Sequence, residues 1–348
     1  MRKWLLIVVG LPLGVLPSGA SAGLRWGRTT VDGSSVILAP TFGQVTKLDG
    51  SVRETTRPFY DLTDPTKNEQ FAESYSLQEL GFKDGYQTFG LSFEAAWRYF
   101  TLQMDATYLE ASVHSVANRD YYIGVSDVSF QGQNYDYMVI PEGQDYRVDF
   151  SAGMLNLRGV VTPVSLELGR HVAITPGLYL GLATFVGQFT VDAGPARGVV
   201  EYEIPPREYV VGGRGEGWSV MALPEVGAGG EVRLRMGDES RRGPELAFQG
   251  FYAISDFAAD TDDLGASSRH NKTIDLEYEH YEARLLLALP LSRSFDLLLG
   301  AAYGYMRADA DVLAQEATPE EIEARREKFN KKVHLELSTL TALVGLQF

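Results

Sequence analysis

Cysteine is absent from the 348 residues. Disulfide frameworks, thiolate metal centres and a cysteine nucleophile are therefore excluded together. Basic charge is in short supply: 31 Lys and Arg face 46 Asp and Glu, a net charge of -15, which makes nucleic acid an unsuitable partner. Past the amino terminus no run of 18 or more apolar residues occurs, so no helix could cross a bilayer. Histidine is sparse. His114, His171, His270, His280 and His334 show no metal-ligand spacing, so no metal site and no cofactor are expected. What the chain has in quantity is glycine (36), tyrosine (18) and phenylalanine (17), in segments of alternating polarity.

The first 22 residues have the three parts of an export signal. Arg2 and Lys3 are followed by the apolar run Trp4 to Leu16, then by Ser18 to Ala22, where Ala20 and Ala22 occupy the cleavage positions. A buried helix would have to tolerate Gly10, Pro12, Gly14 and Pro17, where helices accept them least. Cleavage is expected after Ala22, leaving residues 23–348 as a single domain.

That domain alternates with period two in segment after segment, the mark of strands with one apolar and one polar face. From Phe89 to Tyr99 the odd positions are Phe, Leu, Phe, Ala, Trp and Tyr, while Glu94 and Arg98 lie among the even ones. After a tight turn the pattern resumes, with Phe100, Leu102, Met104, Ala106 and Tyr108 opposed to Thr101, Gln103, Asp105 and Thr107. Similar runs at 34–48, 146–168, 171–191, 218–236, 244–258, 274–291, 295–312 and 332–348 predict about ten strands, with eight to twelve compatible. Residues 121–140 offer a further external hairpin. The connections alternate between short turns and long polar loops (49–85, 113–144, 194–217, 259–273 and 313–330). The expected fold is all-β, a closed up-and-down antiparallel transmembrane barrel with short turns at the periplasmic end and long loops outside.

The last strand bears most directly on the choice between a soluble and a membrane barrel. Leu340, Ala342, Val344, Leu346 and Phe348 alternate with Thr339, Thr341, Leu343, Gly345 and Gln347, and the chain stops on the aromatic. In this the sequence resembles bacterial (Gram-negative) outer-membrane β-barrel proteins, whose terminal strand is read by the barrel-insertion machinery. The resemblance implies a cell outer membrane location, periplasmic chaperones and that machinery as partners during biogenesis, and lipid as the lasting neighbour. Physically, a small barrel has too little interior for these broad aromatic faces, and a closed barrel satisfies every backbone group inside a bilayer. Two aromatic girdles are expected: Trp97, Tyr99, Phe100 and Phe295 beside the short turns, and Tyr108, Tyr146, Trp218, Tyr303 and Tyr305 toward the loops. A monomer is favoured.

The same register places Glu94, Arg98, Asp105, Arg147, Asp149, Glu225, Glu231, Arg233, Arg235, Glu245, Glu282, Arg284 and Asp296 in the lumen. Arg235 falls opposite Glu245 across the 237–243 turn, and mixed charge of this kind cross-links barrel walls more readily than it leaves a pore open. Asn156 and Arg158 interrupt an otherwise apolar face and fit no position. If positions in the 98–101 hairpin sum to 199, Glu94 faces Asp105, close enough for two carboxylates to share a proton. Omptin outer-membrane proteases are similar in strand number and size and use Asp pairs with a His, but this pair lies roughly 13 Å up from the turn, far from the outer rim. Asp309 and Asp311 are at the correct end but on the outward register. No His has Ser two positions on, as the outer-membrane phospholipases and lipid A deacylases have, so no catalytic residue is assigned. His280, near Tyr278 and Glu282, is the inward histidine.

The loops carry most of the excess acid. Residues 260–265 hold carboxylates for a weak calcium site but lack the terminal bidentate Glu. Residues 212–217 read as a flexible glycine-rich loop, and Thr318 to Glu321 predicts a short capped helix to about Lys328. The functional reading is a non-enzymatic barrel, structural or a small-solute pore. The alternative is an outer-membrane hydrolase with its site at the extracellular rim or in the lumen.

Overall fold

The computed structural model describes residues 22–26, 28, 34–56, 71–130, 133–169, 171–194, 198–201, 208–236, 243–260, 272–292, 294–314 and 330–348. They form β1 (Ala22–Trp26), β2 (Ser34–Thr56), β3 (Phe71–Ser76), β4 (Gln87–Trp97), β5 (Phe100–Val116), β6 (Tyr121–Phe130), β7 (Gln133–Ile140), β8 (Asp145–Val161), β9 (Val164–Leu168), β10 (Val172–Asp192), β11 (Gly198–Glu201), β12 (Glu208–Val211), β13 (Arg214–Arg235), β14 (Glu245–Asp260), β15 (Lys272–Pro290), β16 (Asp296–Ala314) and β17 (Asn330–Gln347).

Ten of these make the wall, in the order β2, β4, β5, β8, β10, β13, β14, β15, β16, β17, each antiparallel to the next. β17 returns to β2 and closes the barrel. The seam reaches the last residue: Phe348 N–H donates to the Val36 carbonyl at 2.8 Å, and Val36 N–H to the Phe348 carbonyl at 3.1 Å. Closure leaves no free edge, and that removes the liability of an exposed strand.

The additional strands extend the two ends. β9 prolongs β8 past Pro163 at the short-turn end and carries β1 on its other side, with Ala22 opposite Leu168. β6 and β7 form the external hairpin, and β12 runs parallel to β7 above the wall. The sequence assigned 194–217 to a loop, but it contains β11 and β12. Gly212 and Gly213, at φ of 71° and 103°, make a tight turn into β13, so residues 214–217 are strand and not flexible loop. Residues 1–21, including Ala20, the 261–265 part of the proposed calcium loop, His270 and the 318–328 helix lie outside the described residues.

Side-chain direction reverses its polarity partway up β5, β8 and β16. In β5, Phe100 and Tyr108 are exposed on the outside while Thr101 and Gln103 are buried inside. Above Tyr108 the apolar residues Leu109, Ala111 and Val113 point in, and Glu110, Ser112 and His114 point out. The outward apolar belt includes Leu178, Leu180, Val226, Phe248, Leu285, Leu299, Leu340, Val344 and Leu346. Trp97 stacks on Phe100 at 6.0 Å beside the short turns. At the other border of the belt Tyr281 stacks on Tyr305 at 4.6 Å, and Phe42 meets Phe89 edge-on at 6.0 Å.

β8 corrects the sequence reading. Tyr146 and Val148 are buried inside rather than in the outer girdle, whereas Arg147 and Asp149 point out, their side chains 56% and 43% exposed. The charged end of this strand stands above the apolar belt, so its polar residues face water outside the barrel. Trp218 lies in β13, and nothing is described of its side chain.

The upper lumen is packed like a soluble core. Val45, Leu48, Leu109, Ala111, Val113, Tyr146, Val148 and Val191 cluster there with Leu80 and Phe82. The last two come from the segment 77–86, which leaves the wall between β3 and β4 and folds inward. Gly81 and Gly85, at φ of 93° and 103°, permit the reversal. Backbone bonds from Leu77 to Gly50 and from Gly85 to Val45, both 2.8 Å, fasten it to β2.

Candidate functional site

Below that core the lumen is crossed by charge in two tiers. The lower tier centres on Glu231 and Glu94. Arg28, in the stretch after β1, enters from the short-turn end and donates to Glu94 Oε1 at 3.1 Å and to Glu231 Oε2 at 2.7 Å. Arg233 also holds Glu231 and reaches Glu245 at 2.7 Å, and Arg235 meets Glu245 at 3.3 Å. Gln103 donates to Glu94 at 3.0 Å, and Gln249 to Glu231 at 2.9 Å.

The upper tier centres on Arg158, whose side chain is 0% exposed. Its guanidinium donates to Glu282 at 2.9 Å and to His280 Nδ1 at 3.2 Å, and lies 3.6 Å from Asp105 and 3.8 Å from Glu225. Arg284 bonds Asp105 at 2.5 Å and also Glu282, and Ser92 donates to the other Asp105 oxygen at 2.7 Å. Room for this cluster depends on Gly181, where a Cβ would stand 3.1 Å from Glu225 Oε2 and 3.0 Å from the Leu157 carbonyl. Charges so far from water persist because each has partners on other walls. Removing one partner would strand the rest.

Of the residues expected in the lumen, Glu94, Asp105, Glu225, Glu231, Arg233, Arg235, Glu245, Glu282 and Arg284 meet in these tiers, and Asp296 is buried at the short-turn end. Arg98 does not join them. It is exposed at the turn, and its Nε donates to the Trp26 carbonyl at 3.3 Å. The expected Glu94–Asp105 carboxylate pair is also corrected: the β4–β5 connection has a two-residue turn, so Glu94 pairs with Gln103 and Asp105 with Ser92. Arg235 does lie opposite Glu245. Arg28 and Arg158 were assigned no role from sequence. Arg158 had a signal in its misfit with the otherwise apolar face that runs through Tyr146, Val148 and Phe150; Arg28 had none.

Two voids between floor side chains measure about 30 and 10 Å³, enough for a water molecule or two. Above the floor lies a cavity of about 510 Å³. Its walls include Met154, Ala183, Phe185, Leu223, Leu276, Ala302, Met306, Ala308 and Leu335, and its base presents Asp105, His280, Glu282 and Arg284. This volume falls within the range of small-molecule sites. No group of three metal-ligating side chains occurs among the described residues.

At the loop end an outward ladder of ion pairs crosses β16, β17 and β2. Asp309 lies 2.6 Å from His334 Nδ1 and accepts from Arg307 at 2.7 Å; Lys47 pairs with Glu336, and Lys332 with Asp311 at 2.7 Å. His114 is exposed, and His171 Nδ1 is 3.0 Å from the Arg235 carbonyl at the opposite end.

No family model and no curated protein matches the chain. Among solved structures, the outer membrane protease OmpT of Escherichia coli aligns over 92% of this chain and 98% of its own, at 9% identity and a TM-score of 0.40. The TodX monoaromatic hydrocarbon channel, as a deltaS2 mutant, aligns over 91% and 90%, at 8% identity and a TM-score of 0.17.

Proposed function

We propose that this chain is an integral outer-membrane barrel whose lumen is sealed by the two-tier charged floor, so that it serves as a non-conducting, non-enzymatic envelope component. The carrying observation is Arg158, fully buried in the lumen between carboxylates supplied by three other strands. Such a cross-brace blocks solute passage and fixes opposite walls to each other. The membrane location is supported by the outward apolar belt between aromatic borders, and by the signal-like leader and terminal Phe348 of the sequence, which imply export and handling by the insertion machinery. The continuous belt suits a monomer in lipid.

Hydrolysis is less well supported. The Asp309–His334 pair lies on the outward face of the wall, and His280 in the lumen is engaged by Arg158. Purified protein in planar lipid bilayers tests the sealing. The wild type should give no single-channel steps and Arg158→Ala should give them; steps from the wild type would overturn the reading. A heat-modifiable band on a gel, together with recovery in the outer-membrane fraction, tests the fold and location.

A further inference from the structure

We infer that the cavity above the floor is a binding site for a small apolar molecule carrying a protonated amine at one end, held with that end on Asp105 and Glu282. The walls set the body of the ligand: Leu276, Ala302, Met306, Ala308 and Leu335 offer no polar side-chain atom except the Met306 sulfur, so a hydrocarbon or aromatic group is what they desolvate at least cost. The base sets its head.

Two observations about the base agree. The first is exposure. Asp105 and Glu282 keep 16% and 11% of their side-chain surface open, whereas Arg284 and Arg158 keep 4% and 0%. Arg284 donates to Asp105, Glu282 and Ser92, and Arg158 to Glu282 and His280, but a carboxylate oxygen that accepts one bond still has a lone pair for another. What the base offers to the cavity is acceptors.

The second is charge. Asp105, Glu225 and Glu282 bring three negative charges, and Arg158 and Arg284 bring two positive ones. His280 sits between the two signs, its Nδ1 3.2 Å from an Arg158 nitrogen and 3.4 Å from Glu225 Oε1. The carboxylates outnumber the guanidiniums by one in a site lined mostly by apolar surface, where such an excess attracts a cation more strongly than it would in water. An anionic ligand would meet the same surplus as repulsion. The chain's net charge of -15, concentrated toward the outer loops, steers cations in the same sense.

The test uses the full barrel in lipid nanodiscs and isothermal titration with phenylbutylamine and phenylbutyrate, which share a body and differ at the head. The amine should bind at least about tenfold more tightly than the acid. Ala308→Trp, which fills the cavity, should weaken amine binding by at least about tenfold while the heat-modifiable band persists; Ala302→Met serves if the first variant does not fold. Asp105→Asn should narrow the preference for the amine. Equal binding of amine and acid, preference for the acid, no binding of either, or amine binding unaffected by filling the cavity would each overturn the inference. Channel activity reports on sealing and titration on the cavity, so either reading can fail without the other.

Discussion

The lower and upper halves of this barrel share the same strands and are filled differently. Below Tyr108 on β5 and Tyr305 on β16, an apolar belt points outward and ion pairs cross the lumen beside small apolar clusters around Leu298 and Phe251. Above them, Leu109, Ala111, Val113 and Ala308 point inward, while Glu110, His114, Arg307 and Asp309 point outward. The exterior medium decides. Where hydrocarbon surrounds the wall, the outward residue must be apolar and polar groups gather inside, where only dense mutual pairing keeps them stable. Where water surrounds it, the same strand adopts the ordinary pattern of a soluble protein, and Leu80 and Phe82 complete an apolar core.

The comparison predicts different penalties for the two fillings. Arg158→Ala should have the largest effect, about 3–5 kcal/mol in urea unfolding from lipid vesicles, because Glu282, Asp105 and Glu225 lose a shared partner. That variant should also conduct. A stable, silent variant would show that the floor is not one cooperative network. Leu109→Ala, 2% exposed in the upper core, should cost about 3 kcal/mol through lost contacts and the cavity left behind, yet produce no channel steps. Conductance from Leu109→Ala would place the seal in the upper half instead.

Outward positions sharpen the contrast further. Leu299→Arg, in the middle of the apolar belt, should cost about 2–3 kcal/mol, whereas Glu110→Arg, on the water-facing stretch of β5, should change stability by less than about 0.5 kcal/mol. Equal penalties would mean that the polarity reversal does not mark the edge of the lipid.

The reversal also explains what the sequence disclosed and what it hid. The segments 89–108 of β4 and β5 and 340–348 at the end of the chain lie in the belt, so one rule, apolar outward, assigns Phe100, Leu102, Leu340 and Val344 correctly. β8 crosses the boundary. A single face assignment along its length sent Arg147 and Asp149 inward and left Arg158 without a place. The pairing of Arg235 with Glu245 was legible from the turn, but the Glu94 register was not, because a connection of two residues rather than four shifts every partner by two. Arg28 reaches Glu231, 203 positions away, through the closure of the barrel, and no local pattern encodes such a contact.

A small effect is also expected on the outer ladder, beyond the belt, where water screens each pair. Burial of Asp309 opposes its ionisation, but hydrogen bonds from His334 and Arg307 outweigh that, so its carboxyl sits below its ordinary value. A group with a depressed folded-state value contributes stability above its unfolded value and loses it as pH falls through the folded one. The contribution is therefore present at neutral pH and fades below about pH 4, and partial exposure holds it under about 1 kcal/mol. Asp309→Asn should lower stability slightly at pH 7, with the gap to wild type closing in acid and shrinking in high salt. The lumen carboxylates titrate in both proteins, so the difference between the two unfolding curves isolates this one site. If the gap stayed constant across the acid range, the ionised form of Asp309 would contribute nothing, and the outer ladder would be set by packing alone.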